Sequence, residues 1–371
     1  MKKSLKSLMV MFFMIIAFAM TGIVSNAAEA TYTPTTVTNL NINPSLNIRN
    51  VTVPANSSIV IPIKIPAKGG IWLYYNGGGN YNLLGRIYTD VSCTTLHTII
   101  GYFDSSTSMK DVIFDKAGTY YLKIENDNRT STISGNIGAY FFNGADKTLT
   151  SGKTNVTFQN SSTTWVYHKF KATKTGYISV NIQEAEGYGV YAKLLSSSKK
   201  ALSNEIYTYQ SSSIDSSNIA SFAVQKGKTY YIATRGSSEG ETYNITCTQK
   251  SVSEKSGTKK SKAVTIKKNK TIKGTQIANG KKTGNDWYKI KLTSAKKITF
   301  TIGGKTTGYG DIKIKVVPAS SKVRLYSNTM SVPETGNAKY TTIGKWPKGT
   351  YYIQVYKYNK NSSGYYSIKW K

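Results

Sequence analysis

The chain has 371 residues, with 49 Lys and Arg against 18 Asp and Glu, for a formal net charge of +31. Such an excess excludes an acidic or charge-balanced surface and directs attention to anionic partners, while two cysteines and two histidines exclude a multi-disulfide scaffold and leave little for a zinc site. Abundant Tyr (28) and Gly (31), with no long Ala/Leu/Glu stretch, favour strands over helices, and the length predicts two or three domains.

At the start of the chain, Lys2, Lys3 and Lys6 precede an apolar run over residues 8–24, broken only by Thr21 and Gly22. Small residues follow, and both Ser25-Asn26-Ala27 and Ala28-Glu29-Ala30 fit a cleavage site. The pattern predicts a secretory signal peptide over residues 1–30 and a secreted, extracellular protein, with cell-wall association as a variant of that reading. An uncleaved anchor is the competing reading, disfavoured because ~17 apolar residues is at the short limit for a span. No Cys follows the apolar run, which argues against a lipoprotein, and no second apolar run predicts a membrane span after cleavage. Residues 365–371 read as a strand.

The rest of the chain repeats itself. Gly118-Thr119-Tyr120-Tyr121, Gly227-Lys228-Thr229-Tyr230-Tyr231 and Gly349-Thr350-Tyr351-Tyr352 each open a strand that a Gly/Ser/Asn turn joins to another. Earlier in each copy, Ile63, Ile71, Leu73 and Tyr75 match Phe170, Ile178, Val180 and Ile182, which match Ile290, Ile298, Phe300 and Ile302. Apolar and polar residues alternate, as in Ile298-Thr299-Phe300-Thr301-Ile302, so each strand buries one face and wets the other. The expected fold is all-β: three tandem β-sandwich or jelly-roll domains after the signal peptide. Their expected extents are residues 31–145 for a divergent first copy, 146–249 for the second and 263–371 for the third, with a Lys-rich linker over 250–262.

The third copy resembles the bacterial pre-peptidase C-terminal (PPC) domain family. The resemblance is carried by Asp286-Trp287-Tyr288-Lys289-Ile290, the Gly303-Gly304 pair, Gly308-Tyr309-Gly310-Asp311-Ile312, Gly349-Thr350-Tyr351-Tyr352 and Ser363-Gly364-Tyr365-Tyr366. In that family the order is an aspartate-aromatic strand, a Gly-Gly turn, a Gly-x-x-Asp strand and a Gly-Thr-Tyr-Tyr strand before the closing strand. The second copy fits for most of its length and the first weakly. The resemblance implies a jelly-roll sandwich of the kind appended to secreted proteases, similar to collagen-binding modules of clostridial collagenases. Tandem copies fill nearly all of the chain after residue 30 and leave no room for an attached peptidase domain.

Calcium-binding relatives would need an acidic cluster, and the third copy has only Asp286, Asp311 and Glu334. Acids in the first copy (Asp104, Asp111, Asp115, Glu125, Asp127) and the second (Glu184, Glu186, Glu239, Glu241) leave calcium open there, although scattered surface acids are the preferred reading. No cofactor is expected.

Charge is concentrated at the end of the chain, where residues 263–371 carry 22 basic and 3 acidic residues. Lys289 and Lys291 alternate with Tyr288, Ile290 and Leu292, and Lys313 and Lys315 with Ile312, Ile314 and Val316, which predicts a lysine-coated outer face. Together with Lys297 these residues are the candidate polyanion site, and teichoic acid, acidic glycan or extracellular DNA the candidate ligands; a merely solvated face is the alternative. With Arg324 the only arginine in this copy, sequence-specific nucleic-acid readout is not expected. Tyr309, Tyr356 and Tyr358 lie in Tyr/Gly/Asn-rich stretches suited to protein or sugar contact.

No catalytic signature emerges. His168 aligns with Tyr288 at an inward strand position, His97 has no neighbouring Cys or acid pattern, and Glu184/Glu186 are too close in sequence to flank a cleft. Cys93 and Cys247 are expected to be unpaired small residues on strands, pairing across domains being the alternative. The expected function is a non-catalytic secreted or cell-surface protein whose basic third copy associates with anionic cell-wall or extracellular polymer. The alternatives are an adhesin for host or matrix protein, acting through its tyrosines, and an accessory protein of an exported hydrolase system.

Overall fold

A computed structural model describes residues 30–42, 44–77, 82–103, 107–184, 189–208, 217–282, 284–307 and 311–371. The proposed signal segment through residue 29, and Tyr309, Asp104 and Glu186, lie outside the described residues. The protein is all-β, and among the described residues a single 3-10 turn, Lys260–Lys262, is the only helical element.

The first group of strands is β1 (Thr35–Val37), β2 (Ile48–Val53), β3 (Ser57–Ile65), β4 (Gly69–Gly77), β5 (Leu83–Tyr88), β6 (Leu96–Tyr102), β7 (Thr107–Phe114), β8 (Gly118–Asn126) and β9 (Ile133–Asn143). The second is β10 (Lys147–Thr148), β11 (Thr154–Phe158), β12 (Val166–Lys171), β13 (Gly176–Glu184), β14 (Val190–Ser196), β15 (Ile206–Thr208), β16 (Ser217–Val224), β17 (Thr229–Gly236) and β18 (Thr242–Ser251). The third is β19 (Val264–Thr265), β20 (Ile272–Gln276), β21 (Asp286–Leu292), β22 (Thr299–Thr306), β23 (Ile312–Pro318), β24 (Thr329–Ser331), β25 (Thr335–Thr341), β26 (Gly349–Lys357) and β27 (Gly364–Trp370).

Each group folds into two sheets with one order. In the third, β20-β27-β22-β25 faces β21-β26-β23-β24; in the second, β11-β18-β13-β16 faces β12-β17-β14-β15; in the first, β2-β9-β4-β7 faces β3-β8-β5-β6. Lettering the eight main strands of a group B to I gives BIDG and CHEF sheets each time, the double Greek key of a jelly roll. A short leading strand pairs in parallel with strand C in the second and third groups, and with strand I in the first.

Between each pair of sheets lies a separate apolar core. The twelve residues aligned by repeat are all buried there, from Ile63 and Tyr75 through Phe170 and Ile182 to Ile290 and Ile302. Period two explains this: each apolar residue points between the sheets while its neighbours point out. The first Tyr of each Gly-Thr-Tyr-Tyr run fixes its strand's entry: Tyr120 donates to the Lys116 carbonyl (3.2 Å), Tyr351 donates to that of Pro347 (2.8 Å), and Tyr230 accepts from the Gln225 amide (3.0 Å).

Two expectations about local structure are corrected. Gly303-Gly304 is not a turn but sits inside β22, paired with β27 on one side and β25 on the other. Glycine is needed there because a Cβ on Gly304 would meet the Pro333 carbonyl oxygen at 1.9 Å. Cys93 stands in the turn between β5 and β6 rather than on a strand, at φ 53°, while Cys247 is buried on β18; the two are unpaired.

The Lys-rich stretch over 250–262 is held along its length. Lys250 and Ser251 still pair with β13, and Gly257 bridges to Trp287. The Glu254 carboxylate accepts from the Thr275 amide (2.9 Å) and hydroxyl (3.1 Å). The Ser256 hydroxyl then lies within hydrogen-bond distance of both Glu254 (2.8 Å) and Asp286 (3.0 Å).

The packing between successive groups uses the BIDG faces. Phe158 and Val156 of β11 pack on Trp72, Tyr140 and Phe142 of the first BIDG sheet, and Asn160 donates to the carbonyls of Phe114 (3.0 Å) and Gly69 (3.3 Å). The second and third BIDG sheets meet: β16 packs on β22 and β27, the Tyr177 ring lies tilted against Tyr365 with centroids 5.2 Å apart, and the Ala278 amide donates to the Ala223 carbonyl at 2.9 Å. The CHEF faces remain as the broad outward surfaces.

Candidate binding face

Four of the five candidate lysines share the outer face of the third CHEF sheet. In register, Lys289 lies opposite Tyr352, Lys291 opposite Thr350, Lys313 opposite Tyr356 and Lys315 opposite Gln354, with Trp287 across from Gln354 on the other side. Directly opposed residues on antiparallel strands project to one side, so this face alternates ammonium groups with aromatic rings. Lys297 does not join it: it is exposed and on no strand, just ahead of β22 of the other sheet. Tyr356 belongs to the face as a strand residue rather than to a loop, and Tyr358, just past the strand end, has the Lys313 ammonium 5.5 Å from its ring centre. Lys313 also donates to Ser331 (2.9 Å).

Trp287, Tyr352 and Lys260 were not among the predicted residues. Lys260, from the 3-10 turn, stands 4.8 Å from the Tyr352 ring centre. The repeat carried the missing signal: the second Tyr of each Gly-Thr-Tyr-Tyr run, Tyr121, Tyr231 and Tyr352, is the outward residue on the central strand of its CHEF sheet, between neighbours on both sides.

The three CHEF faces differ in how their cations are engaged. On the first, Arg86 and Lys123 share the Glu125 carboxylate. On the second, cations rest on aromatic rings: Lys193 lies 3.7 Å from the Trp165 centre and Lys199 3.7 Å from that of Tyr167, while Arg235 stands 4.5 Å from Tyr191 and 5.3 Å from Trp165. Lys193 also pairs with Glu205 at 2.9 Å. On the third, among the described residues, Lys289, Lys291 and Lys315 meet no carboxylate. Asp311 closes the Lys313 row, its carboxyl held by Thr307 and its pKa raised by burial.

Other titratable groups are turned inward. His168 is fully buried and hydrogen-bonded to Thr234 (2.8 Å); burial and the neighbouring Lys147 push its pKa down to about 3. Lys357, in the middle of a Tyr-rich stretch, is buried, donates to the Ile277 carbonyl (2.9 Å) and Asn279 (2.8 Å), and has its pKa lowered by burial to about 8. Asp286 accepts from Tyr366 (2.7 Å), Gln276 (2.5 Å) and Ser256, and burial beside Glu254 pushes it up to about 7. His97 is stacked on Phe114 and hydrogen-bonded to the Ile113 carbonyl (2.8 Å). Among the described residues no three His, Cys, Asp or Glu side chains stand together as a metal site, and no helix is long and apolar enough to cross a membrane.

No family model and no curated protein matches the chain. Among solved structures, the PPC domain of a collagenase from Bacillus anthracis is 25% identical over 29% of this chain and 94% of that one, at a TM-score of 0.21. The N-terminal CBM22 tandem of Xyn10C from Paenibacillus barcinonensis is 8% identical over 59% of this chain and 90% of that one, at a TM-score of 0.19. An archaeal virus protein with a triple jelly-roll fold is 8% identical over 88% of this chain and 90% of that one, at 0.19. At such scores they name no activity, and the jelly-roll description rests on the strand order itself.

Proposed function

We propose that this protein is an exported, non-catalytic binding protein, built as three tandem PPC-like domains, that holds anionic cell-wall or extracellular polymer on the CHEF face of its third domain. The observation that carries the reading is the placement of Lys289, Lys291, Lys313 and Lys315 on one face between Trp287, Tyr352 and Tyr356, opposite the sheet that docks on the second domain. Lysine acts there as a point charge, so capture is loose, salt-sensitive and blind to sequence. The rings add apolar contact to the uncharged parts of a polymer. Tyr356 and Tyr358 work within this same surface, which favours one mixed site over a separate protein-binding loop.

The test is retention of the full chain on purified wall polymer bearing teichoic acid, and on walls stripped of it, across a salt gradient. Retention that falls steeply with salt and vanishes on stripped walls supports the reading. Salt-independent retention that is lost in Tyr356→Ala/Tyr358→Ala would instead favour an adhesin.

A further inference from the structure

A cavity lies away from that face, where the two sheets of the third sandwich part between β24 and β25. Its volume is about 420 Å³, within the ~300–1,000 Å³ range of small-molecule sites. Phe300, Val316, Met330, Tyr340 and Trp346 form its floor, and the cavity thus leads directly onto the hydrophobic core of the sandwich. Arg324, Lys339 and Lys345 stand around it, and no carboxylate lines it. Of the three acids of this part of the chain, Asp286 is held by Tyr366 and Gln276, Asp311 is held by Thr307, and the exposed Glu334 is not among the residues that line the cavity. Among the described residues Arg324 has neither a hydrogen bond nor an ion pair. Tyr326 and Ile343 flank the cavity with 93% and 69% of their surfaces in water.

An apolar floor favours a ligand with an apolar body, and a rim of three cations without a counter-charge requires that the body carry an anion. Arg324 adds a planar fork that matches carboxylate, sulfonate or phosphate oxygens in pairs. We infer that this cavity binds a small anionic amphiphile, an aromatic or aliphatic body bearing one acidic group, with Arg324 and Lys345 holding the anion and Trp346, Phe300 and Met330 the body. The site is independent of the lysine face, since none of Lys289, Lys291, Lys313 and Lys315 lines it.

The test uses two fluorescent probes of similar body: 8-anilinonaphthalene-1-sulfonate, which carries the anion, and N-phenyl-1-naphthylamine, which does not. With the full chain, one sulfonate probe binds per molecule, at least ~10-fold tighter than the neutral one, the size of one or two charged hydrogen bonds. Arg324→Gln/Lys345→Gln, both at exposed positions, abolishes that preference, whereas Lys267→Gln/Lys268→Gln leaves it. Ser327→Trp, which fills the cavity, removes binding of both probes while the far-ultraviolet spectrum stays unchanged. Equal binding of the two probes, binding insensitive to Arg324→Gln/Lys345→Gln or to Ser327→Trp, or no binding of either probe overturns the inference.

Discussion

Phe158→Ala tests how the first two sandwiches are joined. The Phe158 side chain is fully buried, yet it belongs to neither sandwich's own core: it sits with Val37, Trp72, Tyr140, Phe142 and Val156 in the cluster between them. Its ring lies 6.4 Å from that of Phe142. It also covers Gly70 so closely that a Cβ there would come within 2.1 Å of the ring. Replacing a buried Phe by Ala removes the transfer free energy of the ring and leaves a cavity, together about 3–5 kcal/mol. Because the cluster is shared, that loss falls on the joint. Calorimetry should therefore resolve a transition of the first sandwich that separates from the rest, and hydrogen exchange should show earlier opening of β1 and β9 while the β3 and β13 amides stay protected. A single transition lowered as a whole, with exchange accelerated equally in both cores, would refute the assignment of Phe158 to the joint; an unchanged transition would refute its energetic weight.

Further outcomes follow from the buried polar groups. Tyr366→Phe removes the hydroxyl that links Asp286 to Tyr288 (2.7 and 2.9 Å), and should lower the stability of the third sandwich by about 1–3 kcal/mol in denaturant unfolding. Gly304→Ala, which drives a methyl into the Pro333 carbonyl, should destabilise the same sandwich by a few kcal/mol, on the order of other strained core substitutions. The pH dependences of the two neighbouring sandwiches have opposite sign. Asp286 has a folded pKa raised from 3.8 to about 7, so its contribution is full below about 4 and is lost as pH rises towards 7. His168 has a folded pKa lowered from 6.5 to about 3; the unfolded chain binds the extra proton, so stability is lost as pH falls from about 6.5. Hydrogen exchange at pH 4.5 and 7.5 should show the second sandwich loosening in acid, an effect removed by His168→Gln, and the third loosening at the higher pH. The same slope in both would contradict these environments.

Much of the fold was legible because period-two burial is a local property. Ile290, Ile298, Phe300 and Ile302 announced two strands and their inward face, and the repeat carried the same positions to the other two copies. The Gly303-Gly304 pair misled because glycine marks both turns and close backbone approaches, and only the position of Pro333 across the strand distinguishes them. At the candidate face, alternation placed Lys289, Lys291, Lys313 and Lys315 outward, but it gave no information on which strands are neighbours. The β21-β26-β23 order brings Tyr352, Tyr356 and Trp287 between those lysines, and Lys297 falls outside that sheet, ahead of β22. Lys357 was missed because a lysine in a Tyr/Asn stretch reads as exposed. The Ile277 carbonyl and Asn279, far away in sequence, are what allow it to be buried. The engagement of Lys193, Lys199 and Arg235 by rings on the second sandwich likewise depends on register across strands.

Anion capture belongs either to one face or to total charge. Two variants of equal charge separate these: Lys289→Gln/Lys291→Gln/Lys313→Gln/Lys315→Gln on the face, and Lys267→Gln/Lys268→Gln/Lys270→Gln/Lys297→Gln away from it. Affinity for a defined poly(glycerol phosphate) measured by titration calorimetry from 50 to 300 mM salt gives the slope of log K against log salt. By the polyelectrolyte relation of about 0.7–0.9 per neutralised phosphate, the face variant should flatten that slope by about 3, while the other variant keeps the slope of the unmodified protein. Equal flattening by both variants would mean that the polymer responds to net charge alone, and the binding face proposed for the third sandwich would not exist.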